Sequence, residues 1–206
     1  MQTILLMAQK GGSGKTTLAV HFAAEAVARG LRAILIDLDP QASASLWGDR
    51  RADASPQVVA EHPSRLEARL KAARAEGCDL AVIDTAPHAD QAALRAARLS
   101  SLVIAPCRPA TFDVAAIETT LEICTLANQL PLVVINAAPI RSRVVAEARA
   151  EIERLGGVVS DHVIHQRVAY QHCMIDGRTA GSFDPGGAAA LEFAALFSEA
   201  MERATS

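Results

Sequence analysis

The chain has 206 residues, 50% hydrophobic, 21% charged and only 3% aromatic, with a formal net charge of −3. That length and composition suit one compact domain whose core is mainly Ala, Leu, Val and Ile, and they exclude a disordered chain. The charge excludes an overall pull toward nucleic acid or anionic membrane, so any DNA binding needs a local patch or one assembled in an oligomer.

The apolar start, Met1 to Met7, has no basic lead and no small-residue cleavage site, so it reads as a first strand, Thr3–Ala8, and not as a signal peptide. A glycine loop and a helical pattern over 16–29 follow, then a strand at Ala33–Asp37. The stretch 48–63, rich in Arg, Asp, Ser and Pro, reads as a long surface loop. Beyond it come a helix over 64–76, a strand at Leu80–Asp84, a helix over 89–99 and a strand at Leu102–Ala105. A helix over 112–128, a strand at Leu132–Asn136, a helix over 143–155, a strand at Val158–Asp161 and a last helix over 187–203 complete the chain. Strand and helix in alternation predict an α/β fold: a single domain over 1–206 with a mostly parallel twisted sheet and helices on both faces. Ligands of such sheets lie at the carboxyl ends of the strands. No apolar run reaches the roughly 18 residues of a membrane span. Cys78, Cys107, Cys124 and Cys173 are too scattered for a zinc site or a disulfide framework and suit a reducing cytoplasm.

Between the first strand and the first helix stands Gln9-Lys10-Gly11-Gly12-Ser13-Gly14-Lys15-Thr16-Thr17, in the setting a phosphate loop requires. Glycines let consecutive backbone N–H groups curl around phosphate oxygens, and the helix N-terminus adds partial positive charge. The nucleotide-binding set is then Lys10, Gly11, Gly12, Ser13, Gly14, Lys15, Thr16 and Thr17. Within it Lys15 reaches the β- and γ-phosphates and the Thr16 hydroxyl ligates Mg2+. The second strand ends in Asp37-Leu38-Asp39-Pro40-Gln41, which puts carboxylates where the ligand should lie; an Asp there also serves as a helix cap. The third strand ends at Asp84-Thr85-Ala86-Pro87, an acidic residue after a buried strand, which can hold magnesium directly or through water.

An ordinary phosphate loop has glycine where this chain has Gln9. The early Lys10, the Asp37-to-Gln41 motif and the Asp84 motif, in this order, resemble the ParA/MinD family of deviant Walker A ATPases. They are most similar to small ParA-type partition ATPases without an N-terminal helix-turn-helix. Ala86 departs from the family's usual proline. Pro106-Cys107-Arg108-Pro109, Arg167, Tyr170, Asp176-Gly177 and Phe183-Asp184-Pro185 continue the resemblance through the remainder of the chain.

The resemblance implies ATP and Mg2+ as cofactors, with Lys10, Lys15 and Asp39 catalytic and Thr16, Asp37 and Asp84 around the metal. Lys10 would cross a dimer interface to the other subunit's nucleotide, and Asp39 would position the attacking water. It also implies a cytoplasmic, nucleoid-associated ATPase that forms an ATP-dependent homodimer and binds nonspecific DNA. Slow hydrolysis would be stimulated by a ParB-like or cargo adaptor protein, to segregate or position a plasmid, a chromosome or other cargo. Arg141, Arg143 and Arg167 are candidates for DNA phosphates, or solvated surface arginines. Asn136 is a candidate adenine contact, or a polar strand cap. Cys107 and Cys124 do not form the ligand pattern of the family's iron–sulfur branch. The last helix carries Glu192, Glu199 and Glu202 against Arg203, which favours packing on the sheet over binding lipid. A different class of relative activates carboxylates with ATP, in the manner of cobyrinic acid diamide or dethiobiotin synthetases. Lys10 together with Asp39-Pro40-Gln41 favours the positioning ATPase.

Overall fold

The computed structural model describes residues 1–87 and 90–205. Seven strands form one all-parallel sheet: β1 (Gln2–Leu6), β2 (Ala33–Asp37), β3 (Gln57–Ala60), β4 (Leu80–Asp84), β5 (Leu102–Cys107), β6 (Leu132–Ile135) and β7 (Val158–Val159). Their order across the sheet is β3-β2-β4-β1-β5-β6-β7. From β1 the chain runs out to β2 and β3, returns to place β4 between β2 and β1, then crosses over and builds outward through β5, β6 and β7 on the other side. β1 therefore sits where the winding reverses, the place at which doubly wound sheets open a ligand crevice.

The connecting helices are α1 (Lys15–Ala28), α2 (Ser43–Asp49), α3 (Leu66–Ala75), α4 (Asp90–Arg98), α5 (Thr111–Leu126), α6 (Val144–Arg154), α7 (Val168–His172), α8 (Ala180–Phe183) and α9 (Ala188–Thr205). Side chains alternate across the sheet with period two, and the packing follows that alternation. Ile4 and Leu6 of β1, Leu35 of β2, Val82 of β4, Ile104 of β5 and Val134 of β6 are buried on one face with Leu18 and Phe22 of α1 and Phe193, Leu196 and Phe197 of α9. Their sequence neighbours Leu5, Ile34, Ile36, Ile83 and Val103 meet α3, α4 and α5 on the other face, and Val133 and Ile135 meet α5 and α6. Strands buried on both faces read as near-continuous apolar runs, which is why Ile4–Leu6, Ala33–Ile36 and Leu80–Ile83 read so clearly in the sequence.

Three expectations need correction. The stretch 48–63 is not one long loop, because it ends α2 and contains the edge strand β3 in register with β2. β3 is exposed at Gln57 and Ala60 and pairs on one side only, so it lacks the continuous apolar run of a central strand. The second correction is the short helices α2, α7 and α8, each of at most seven residues and too brief to show helical periodicity. The third is at strand ends: Ala8 lies beyond β1, Asn136 follows β6, and β7 stops at Val159. Ala89, the expected start of the helix over 89–99, lies outside the described residues; that helix is described from Asp90.

Candidate nucleotide site

The strand register brings the motifs together. Leu6, the last residue of β1, pairs with Asp84, and Asp84 pairs with Asp37. The glycine loop and two carboxylates therefore emerge side by side from adjacent strands. Thr85 fastens the junction, its hydroxyl donating to the Leu6 carbonyl at 2.9 Å.

Gly12 and Gly14 adopt positive φ, 73° and 98°. Gly14 is the N-cap of α1 and supplies no side-chain cap, so the first N–H groups of α1 are left for a ligand. A Cβ on Gly14 would lie 2.1 Å from Asn136 Nδ2. That close approach has a purpose: Asn136 Nδ2 donates to the Ser13 carbonyl at 2.7 Å and holds the loop against the end of β6. Asn136 is a brace of the phosphate loop, a role that neither sequence alternative included.

The two loop lysines are placed differently. Lys15 is buried and donates to the carbonyls of Ala8 at 3.3 Å and Lys10 at 3.5 Å. Burial lowers its pKa, against opposing pulls from Asp84 and Asp39. Lys10 lies at the outer edge of the loop with its side chain 41% exposed, and its ammonium pairs with Asp113 in the first turn of α5. Asp113 is 103 residues away in the chain, and no local spacing announces it. Gln9, which stands in place of the usual glycine, donates through Nε2 to Asp90 at the start of α4.

The acidic residues divide their work. Asp37 is fully engaged. Its Oδ1 accepts the Asp39 N–H at 3.1 Å, and its Oδ2 accepts the N–H and hydroxyl of Ser45 in the first turn of α2 at 3.0 and 3.1 Å. Asp37 thus supports the start of α2 and orients Asp39, while Asp39 makes a short turn by accepting the Gln41 N–H at 2.9 Å. The helix-supporting role considered for Asp39 falls to Asp37. Asp84 is the opposite case, since both carboxylate oxygens are buried without a hydrogen-bond partner among the described residues. Burial pushes its carboxyl up to about 7, with the neighbouring Thr16 hydroxyl opposing the shift without completing a hydrogen bond, and Asp37 adding to it. A buried carboxylate left without partners is costly unless a cation completes it. Asp84 beside Thr16 therefore fits Mg2+, and no cluster of three His, Cys, Asp or Glu among the described residues offers another metal site.

Of the DNA candidates, Arg141 and Arg143 are exposed in the turn before α6 and form no ion pair among the described residues. Arg167 is placed differently, with its guanidinium on Glu192 of α9, which also accepts from His165. The four cysteines are free.

A parallel sheet with a glycine loop between its central strand and first helix defines a P-loop nucleotide-binding protein. Residues 4–180 match the family model for the CobQ/CobB/MinD/ParA nucleotide binding domain, and the chain belongs to that family. It is 29% identical over 185 residues to the maintenance of carboxysome distribution protein A of Halothiobacillus neapolitanus, spanning 85% of this chain and 84% of that protein. Among solved structures, apo McdA from Cyanothece superposes with a TM-score of 0.79 at 17% identity, covering 100% of both chains. The septum site-determining protein MinD of Pyrococcus horikoshii, complexed with Mg-ADP, superposes at 0.76 and 17% identity over 96% of this chain and 95% of that one.

Proposed function

We propose that this protein is an ATPase that forms an ATP-dependent homodimer, binds nonspecific DNA and hydrolyses ATP slowly under stimulation by an adaptor on its cargo. The observation that carries this reading is the division between the two loop lysines. Lys15 is sunk into its own loop, whereas Lys10 stands at the rim, half exposed and held by a single carboxylate, Asp113. A lysine so placed can leave Asp113 for the phosphates bound to a second subunit. Contact made only in the dimer is what lets a nucleotide favour the dimer over the monomer.

Mg2+ and ATP, when bound, would supply the neutralised phosphoryl group that is transferred to water. The chain's own residues do the remainder. The loop amides and Lys15 would hold phosphate oxygens, and Thr16 and Asp84 would hold the metal. Asp37 fixes the backbone N–H of Asp39, which steadies the residue whose carboxylate would position the attacking water. The cargo belongs to the class served by its relatives: a carboxysome-like compartment, a plasmid or a chromosome. The protein works in the cytoplasm on the nucleoid, and no described helix is long and apolar enough to cross a membrane.

The test is the mass of Asp39→Ala by light scattering, with ADP and with ATP plus Mg2+, followed by duplex DNA. A dimer only with ATP, binding DNA and released by salt, is the expected outcome. A monomer in both nucleotides, indifferent to DNA, rejects the proposal.

A further inference from the structure

Arg108 is the first residue beyond β5, and β5 lies against β1, so its root emerges beside the phosphate loop. The Arg108 Nη2 atom lies 3.8 Å from the point where a Cβ on Gly12 would sit. The root is fixed from several sides. The Arg108 carbonyl accepts the Ala110 N–H at 2.8 Å and the Cys107 thiol at 3.4 Å, and the Cys107 carbonyl accepts the Asn136 N–H at 2.8 Å. Asn136 in turn holds Ser13, so arginine and loop share one frame.

The guanidinium itself is exposed and has no carboxylate partner among the described residues. The nearest acidic residue in the following turn, Asp113, is taken by Lys10. An unpaired five-donor cation is thus set over the outer half of the loop. That half is also where the Lys15 ammonium reaches, 3.5 Å from the Lys10 carbonyl, and the lysine of a phosphate loop serves the β- and γ-phosphates. A guanidinium fork matches phosphate oxygens in a way an ammonium does not.

We propose that Arg108 is a phosphate-contacting residue that engages the γ-phosphate end of ATP held in its own chain's loop, and so separates ATP from ADP. This rests on the nucleotide reading above. The contact lies within one chain, since arginine and loop are already adjacent before any dimer forms. Arg108 therefore has a different task from Lys10, which would act on the other subunit.

The experiment is calorimetric titration of Arg108→Ala and Arg108→Lys with Mg-ADP and with the non-hydrolysable analogue Mg-AMPPNP. It is run both in the wild-type background and in Lys10→Ala, which should remain monomeric. Arg108→Ala should weaken AMPPNP by about tenfold or more, the loss expected for a charge-assisted phosphate contact, and ADP by less than about twofold. Arg108→Lys should recover part of the loss, because it keeps the charge without the fork. Unchanged affinity for both nucleotides overturns the proposal, and so does an equal loss for both. A selective loss seen only when Lys10 is present places the contact across the dimer and also overturns it. Failure of the wild-type chain to bind either nucleotide would instead remove the nucleotide reading itself. Thermal midpoints of the variants should match the wild type, since the Arg108 side chain has no hydrogen-bond or ion-pair partner to lose among the described residues.

Discussion

Burying the Asp84 carboxyl carries a cost. The group is fully buried, is paired in register with Asp37 on the adjacent strand and completes no hydrogen bond among the described residues, with the Thr16 hydroxyl beside it. Burying such a group disfavours its charged form, and the fold tolerates it because a bound cation would offset the loss. Asp84→Asn should therefore raise the thermal midpoint of the nucleotide-free protein while removing Mg2+-dependent nucleotide binding. About 1 kcal/mol corresponds to roughly 2–4 °C in a chain of this size, so a rise of a few degrees is expected by calorimetry. An unchanged or lower midpoint together with intact magnesium dependence would show that Asp84 is an ordinary core residue. The motif residues were legible singly, because a glycine loop or a strand-end aspartate is a local pattern. Their partners were not. Asp113 for Lys10, Asn136 for Ser13 and Ser45 for Asp37 are set by strand order and loop path, which local periodicity does not encode.

At the level of elements, α1 joins the phosphate loop to the far end of the chain. Three of the chain's five phenylalanines pack together there, with Phe22 of α1 at 5.0 Å from Phe193 and 5.8 Å from Phe197 of α9 between ring centroids. His21 beside them is fully buried. Its Nδ1 donates to the Thr17 carbonyl at 2.7 Å, and its Nε2 accepts the Ala180 N–H at 3.0 Å. Accepting at Nε2 requires the neutral ring, whereas the Nδ1 bond survives protonation, and Tyr170 and Phe193 enclose the ring at 5.1 and 5.2 Å. Burial pushes its pKa down to about 4, partly opposed by the bond to Thr17. The folded value lies below the unfolded one near 6.5, so the unfolded chain binds the proton first. The stability that the neutral ring allows is complete above about pH 6.5 and is lost as pH falls toward 4. Urea midpoints measured between pH 7 and 4.5 should fall more steeply for the wild type than for His21→Gln. Parallel profiles would mean that other groups govern the acid side. α1 and α9 were visible from their length and apolar content, whereas the tie through α8 was not, because a four-residue helix has no period to read.

For the molecule as a whole, a net charge of −3 means that the proposed DNA contact needs a local patch and cannot come from the overall field. Arg141 and Arg143 can supply one, being exposed and free of ion pairs among the described residues, and a two-fold dimer would present four such arginines. Arg167 is partly exposed, but its guanidinium is engaged by Glu192 of α9 within the same chain. Removing one arginine–phosphate pair should reduce the steepness of log K against log salt by about 0.9. In the ATP-bound Asp39→Ala background, Arg141→Ala with Arg143→Ala should therefore weaken DNA binding and flatten that slope by roughly 2–4. Arg167→Ala should leave the slope unchanged and lower the thermal midpoint, since Glu192 loses its charged partner. Fluorescence anisotropy with a random duplex at several salt concentrations separates the cases. If the double variant keeps the full slope while Arg167→Ala flattens it, the patch lies around α9, and the assignment to Arg141 and Arg143 is rejected.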